Sequence, residues 1–340
     1  MAAFYLAINE LPPNLRFRKE NMLLGGLWFG HGKPNPNLFL KPLFDELDKL
    51  GKGFYSVVSG LLEPVYFQVG LLAGTCDAPA KATFLLHKYF NGYFGCPKCL
   101  TRGEKSIRTG KVFVYPFQQD LVLRTEANYL QHLADLRNLR ENARITDNMG
   151  IKGPTILKNM LVSSLIASTS IDVMHCVFLG VVKTLMDLWF GEKCKAEAFN
   201  NIERKDVVSH FLSGIKPPHC IERVPQSLDK LKFWKASEYQ SFFFYYSLPI
   251  LSLVIEQVYF NHFKLLYLGI TLLCQNSITE ADIVLSQTLL DQFVEEYETL
   301  YGLNRMTFNV HILRHLPNVV RDLGPLWTTS CFLFENLNGV

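Results

Sequence analysis

The sequence predicts an α/β segment followed by a large all-helical block and a closing helix. Three observations carry this. Short β-rich runs alternate with helix-patterned runs over the first hundred residues. From about residue 102 to 300 helix follows helix with almost no strand signal, and the C-terminal stretch is helical with a Gly-Pro break. The expected divisions are 1–101, 102–300 and 301–340.

Composition sets the class. With 340 residues, 49% of them hydrophobic, 13% aromatic and 19% charged, the chain reads as a packed globule rather than a disordered one. A net charge of +3 does not mark a nucleic-acid binder by itself, although a basic face fits within a balanced total. The most apolar stretch, "QSFFFYYSLPILSLVIEQVYF", is interrupted by Gln240, Ser241, Ser247, Ser252 and Glu256, so it reads as a buried helix and no membrane partner is expected. The N-terminus has no basic region followed by an apolar one, and no secretory signal is expected. Eight cysteines, unevenly spread, fit metal ligands and core thiols in a reducing compartment better than a disulfide framework.

"FYLAINEL" is a short strand that halts at Pro12-Pro13, and "NMLLGGLWFG" is a second that ends in the turn-forming "HGKPNPN", so the two are expected to be neighbours. "LFLKPLFDELDKLGKG" spaces Leu40, Leu43, Phe44, Leu47 and Leu50 along one helical face and stops at Gly51 and Gly53. "PVYFQVGLLAGTCD" reads as a buried strand whose last residue is Asp77. Pro79 then suits the first turn of a helix running through "AKATFLLHKYF". The helical block holds "EANYLQHLADLRNLREN", "STSIDVMHCVFLGVVKTLMDLWFG", "SEYQSFFFYYSLPILSLVIEQVYF" and "ITEADIVLSQTLLDQFVEEYETLYG", with loops at "GIKGPT" and "SGIKPPHCIERVP".

Chemistry concentrates in a few places. In "GCPKC", Pro97 and Lys98 separate Cys96 and Cys99 on a tight turn that lets both sulfurs reach one ion at about 2.3 Å. Zinc needs four ligands, and His311 and His315 in "HILRHLP", four apart on a predicted helix, put two imidazoles on one face. Cys96, Cys99, His311 and His315 would complete a closed Cys₂His₂ site. A redox role for the thiol pair would need a thioredoxin-like setting that the sequence lacks, and histidines at helical spacing are also common in cores and on surfaces. Asp77 has two readings, an N-cap ahead of Pro79 or a metal-ligating carboxylate at a strand end, with Glu335 as the possible second acid. Asp172 and His175, three apart, share a helix face as a cap with a buried imidazole or as a functional pair. His31, His87 and His219 have no evident partners, and Cys176, Cys194, Cys220, Cys274 and Cys331 read as core thiols.

These stretches together resemble the catalytic region of CACTA-type (En/Spm-like) DNA transposases of the animal type, over almost the whole chain. The resemblance lies in "FYLAINELPP", "LLAGTCDAPAKA" with "YFGCPKC", "GIKGPT", "DVMHCVFLGVVK", "WKASEYQSFFFYYSLPIL", "NVHILRHLP" and "GPLWTTSCFLFENLNG". It implies an RNase H-like core holding a D-D-E triad and interrupted by a helical insertion. Asp77 then looks like the second acid and Glu335 like the third, the two holding catalytic Mg²⁺. Cys96, Cys99, His311 and His315 look like the ligands of a structural Zn²⁺ shared with the distantly similar V(D)J recombinase. His175 lies in a signature of the group.

The triad's first acid belongs on a strand just upstream of "FYLAINELPP", where this sequence begins Met-Ala-Ala, so that strand and acid are expected to be missing. Asp45 and Asp48 lie on the polar side of a helix and are not expected to replace the acid. Loss of a bridging carboxylate should abolish two-metal phosphoryl chemistry. The resemblance therefore implies a transposase-like protein that no longer cuts DNA. Its alternative is a domesticated remnant that binds DNA or protein without nuclease activity. A third reading is a chain that folds poorly because a sheet lacking one strand leaves an unpaired edge. DNA as partner, an oligomer of like chains and residence in the nucleus follow from the resemblance alone.

Overall fold

The computed structural model describes residues 2–106, 110, 112–142, 145–217, 219, 221 and 223–335. It is a mixed α/β chain, mostly helical, with a few short antiparallel strands. Backbone contacts divide it into two units. One comprises Met1–Leu100, Val122–Ser170 and Phe332–Val340, the other Thr101–Leu121 and Ile171–Cys331.

The first unit opens on the expected hairpin, Ala2–Ala7 against Met22–Trp28. The register slips between Phe4 and Tyr5, so that Phe4 faces Gly26 and Tyr5 faces Leu24, leaving Gly25 as the extra residue of a bulge. Gly26 has a packing reason: a Cβ there would come 3.2 Å from the ring of Phe39, on the helix Pro36–Gly51 laid across the hairpin, whereas one on Gly25 would make ordinary contact with Leu43 of the same helix. That helix begins where Asn35 accepts hydrogen bonds from the backbone of Asn37 and Leu38, with Pro36 in the first turn.

Residues 64–77 depart from expectation. The strand is only Val65–Phe67, it pairs with Phe54–Ser56, and most of that hairpin's side chains are exposed. From residue 68 on, the chain is irregular and touches the 161–169 segment through single bridges, Leu71 to Leu161 and Gly74 to Thr169. Two glycines in the apolar run account for this: they weaken strand pairing, and a Cβ on Gly70 would collide with Val162. Among the described residues the sheets are three separate two-stranded ribbons.

Asp77 ends this run and caps the helix Ala78–Phe84. Beyond it, the helix Glu126–Asn142 matches its expected stretch from end to end. The core of the first unit gathers Leu85, Tyr129, Ile151 and Leu165, with Leu133, Leu157 and Leu161 against them.

The second unit is helical. Asp172 precedes a π-helix, Met174–Val182, which runs on as the α-helix Lys183–Phe190. A second π-turn, Phe242–Tyr246, interrupts the helical run between Ala236–Ser241 and Ser247–Val254. The two meet through Phe178, edge-on to Phe243 and Phe244. The helices Gln257–Leu273 and Glu280–Tyr301 pack closely because Gly269 lies against Leu290, and Ser286 donates to the Gly269 carbonyl at 2.9 Å. Around them lies an aromatic core of Trp189, Phe199, Tyr259, Phe263, Phe293, Tyr297 and Tyr301. The most apolar stretch of the sequence is thus a buried, broken helix, and among the described residues no helix is long and apolar enough to cross a membrane.

Candidate metal centre

The Cys96–Cys99 turn is held from behind by one buried guanidinium. Arg124 donates through Nε to the Cys96 carbonyl (2.8 Å) and through Nη2 to the carbonyls of Phe94 (3.2 Å) and Met149 (2.7 Å). A short antiparallel pairing fixes the same turn, with Leu100 N donating to Val122 O and Arg124 N to Lys98 O, each at 2.8 Å. Lys98, inside the turn, points away from the sulfurs' chemistry and donates to the Ile166 carbonyl at 2.6 Å. These bonds satisfy backbone oxygens that a tight turn cannot pair internally.

The histidines lie where the helix Phe308–Ile312 tightens into the 3₁₀ turn Leu313–His315 and then continues as Leu316–Leu323. They are therefore not on one uninterrupted α-helix, yet their rings stay adjacent, with centroids 5.3 Å apart. Tyr115, fully buried, stacks on His311 at 4.8 Å and 25° between planes. Its backbone N–H donates to Met306 O at 2.8 Å, which ties residues 115 and 306 together beside the first histidine. Arg314, between the two, is engaged elsewhere by Asp291 and the carbonyls of Gln118 and Gln119.

The ligand atoms of Cys96, Cys99, His311 and His315 all lie within 4.8 Å of one another, and all four residues are buried. Two thiols and two imidazoles make a closed tetrahedral donor set, so this cluster can hold a metal ion such as zinc. Burial pushes the Cys96 thiol well above its ordinary pKa, with Cys99 adding to the shift. A divalent ion reverses that preference, since it binds the thiolate and displaces the proton.

The carboxylates stand differently. Asp77 is half-buried, and its Oδ1 accepts the backbone N–H of Ala80 at 2.7 Å, the N-cap geometry of the simpler reading. Glu335 is exposed at the end of the helix Phe332–Glu335. Both belong to the first unit, where Phe334 meets Phe17 edge-on at 6.4 Å. Among the described residues neither joins a group of three or more metal donors. Asp45 and Asp48 are exposed and paired with Lys41 and Lys52 on their own helix.

Asp172 and His175 do come together. Asp172 is buried, and its Oδ1 accepts the backbone N–H groups of Met174 (3.2 Å) and Cys331 (2.7 Å). Its Oδ2 accepts from His175 N (3.0 Å) and lies 2.6 Å from His175 Nδ1. Burial alone would raise its pKa, but the hydrogen bonds from His175 and Cys331 outweigh it and hold the carboxyl below the usual range. Cys331, which reads as a core thiol in the sequence, thus stands beside this pair. Cys176 is buried, Cys194 and Cys274 are half-buried, and Cys220 lies outside the described residues. His87 is a core residue, driven to a pKa of about 3 by burial and by the neighbouring Arg124.

Sequence reasoning overlooked Arg124, Tyr115 and Cys331. Arg124 follows a turn in a stretch of mixed character, and no local pattern sets it apart from surface arginines. Cys331 meets Asp172 across 159 positions. A scan against protein-family models and a search of curated proteins found no match to this chain.

Proposed function

We propose that the chain is a transposon-derived scaffold of the CACTA DDE transposase type, with a structural Zn²⁺ at Cys96, Cys99, His311 and His315. The observation that supports this best is the convergence of those four donors, since the resemblance implies that ligand set across more than two hundred residues of sequence. A second observation favours it: Glu335 and Asp77, which the resemblance makes the third and second acids, fall in the same unit. In this reading residues 1–101 belong to an RNase H-like core, 102–300 form the helical insertion, and 301–340 complete the core and the zinc site.

Asp77 already spends one oxygen on a helix cap, and among the described residues neither it nor Glu335 joins a group of three or more metal donors. This reading therefore has the protein bind DNA without cutting it, through lysines and arginines of the helical unit. The bound Zn²⁺ would supply no chemistry, only a fixed geometry of the turn and the histidine helix.

The test combines two measurements. Purified protein should carry zinc at Cys96, Cys99, His311 and His315, lost in His311→Ala/His315→Ala together with cooperative unfolding. Duplex DNA should be retained at low salt and released as salt rises, with no Mg²⁺-dependent nicking. A chain that takes up no zinc, or shows no DNA binding at low salt, removes the proposal. Nicking abolished by Asp77→Ala replaces it with an active nuclease.

A further inference from the structure

We infer that Asp172, His175 and Cys331 form a second metal site, open on one side, for a thiophilic divalent ion such as Zn²⁺. Their ligand atoms all lie within 4.8 Å of one another. The set is a carboxylate, an imidazole and a thiol, three donor types that zinc accepts, at the number of protein ligands found in sites that keep a fourth position for water or substrate.

A cap needs less than this arrangement provides. To start the π-helix, Asp172 needs one oxygen on the backbone N–H groups of Met174 and His175. Instead its Oδ1 also takes the N–H of Cys331, which draws the thiol in from the far end of the unit's sequence, and its Oδ2 lies on the imidazole. Charge balance points the same way. A dication among one carboxylate, one thiolate and a neutral imidazole gives a neutral assembly, the condition for holding an ion in a buried place. The side chains are 2% exposed for Asp172 and 33% for His175, so the ring lies at the mouth and the acid at the floor.

Binding is a ligand exchange with simple balance. The ion sheds waters to the solvent, Cys331 loses its proton to solvent, and the proton held between His175 Nδ1 and Asp172 Oδ2 passes through solvent to Nε2, so that the imidazole stays neutral and the hydrogen bond is replaced by two metal bonds. Their donors then open from 2.6 Å to about 3.3 Å, the separation of two ligands at ~2.0 Å in a tetrahedron. The π-turn suits that adjustment, because it already widens the helix at His175. None of these residues belongs to the Cys96–Cys99–His311–His315 cluster, so the site stands or falls independently of the proposed function.

The test is metal counting with Zn²⁺ and Co²⁺ as probes. Protein loaded with Zn²⁺ and freed of excess should hold two ions per chain. Cys331→Ser and His175→Gln should each lower this to one, leaving the ion of Cys96, Cys99, His311 and His315 in place. With Co²⁺, the thiolate charge-transfer absorption per chain should fall by about a third in Cys331→Ser, three sulfurs becoming two. His175→Gln, at the mouth, serves where Cys331→Ser fails to fold. Equal metal content in wild type and both variants, or a wild type with one ion that only Cys96→Ser removes, overturns the inference.

Discussion

Arg124 donates its Nε hydrogen to the carbonyl of Cys96 at 2.8 Å, so one guanidinium carries the turn that aims both sulfurs. The same group reaches the carbonyls of Phe94 and Met149, and it is 5% exposed. The candidate metal-binding turn is thus preorganised by a residue outside the donor set.

Arg124→Lys keeps the charge and loses the fork, because an ammonium cannot span three carbonyls in that geometry. Zinc affinity should drop by about 10- to 100-fold, the usual range for losing a group that supports a ligand. Competition against a chromophoric chelator measures it. Unchanged affinity would mean that the ligands alone shape the turn.

Gly180 has a similar position behind the histidines. A Cβ there would lie 2.6 Å from Asn309 Nδ2 and 2.8 Å from the His175 carbonyl oxygen, and Asn309 sits on the helix Phe308–Ile312 that carries His311. Gly180→Ala should cost roughly 1–3 kcal/mol through overpacking, seen as a lower urea midpoint. Gly60, whose Cβ would meet nothing within 4 Å but whose φ is +88°, is the control for backbone strain alone.

Acid should destabilise the fold through two buried imidazoles. Burial lowers the His87 pKa to about 3, with Arg124 adding, and lowers that of His262 to about 4, from an ordinary 6.5. Above pH 6.5 both are neutral folded or unfolded, so their contribution is complete. Below it the unfolded chain binds protons that the folded one refuses, and stability falls until about pH 3 to 4. At ~1.4 kcal/mol per unit, the loss by pH 5 is about 2 kcal/mol for each residue. Urea unfolding at pH 7 and pH 5 should show it. His262→Phe, which keeps the stack on Phe293, should remove about half of the difference. An equal loss in that variant would assign the acid sensitivity elsewhere, with zinc content measured at both pH values to separate metal release.

Periodicity made the helices legible. Glu126–Asn142 and Glu280–Tyr301 follow their expected stretches because an apolar stripe and a cap speak locally, Thr279 and Asp282 forming a capping box at the second. The candidate metal donors were legible for the same kind of reason, Cys96 and Cys99 by a two-residue gap and His311 and His315 by a spacing of four. The strand expected over 64–77 was not, because a short apolar run reads alike whether it pairs in a sheet or packs as irregular chain against Val162 and Thr169. Arg124 and Cys331 act through contacts made only after folding, and a sequence window holds no trace of them.

Asp77 separates its two roles by chemistry. As a cap it needs an oxygen that accepts the Ala80 N–H, which asparagine also offers. As a ligand of Mg²⁺ it needs charge, which asparagine lacks. Asp77→Ala should cost about 1 kcal/mol of stability and Asp77→Asn only a few tenths. If the residue only caps, Mg²⁺ should shift the melting temperature of wild type, Asp77→Ala and Asp77→Asn alike. A Mg²⁺-dependent stabilisation present in wild type and absent in the stable Asp77→Asn would show that the carboxylate still holds an ion.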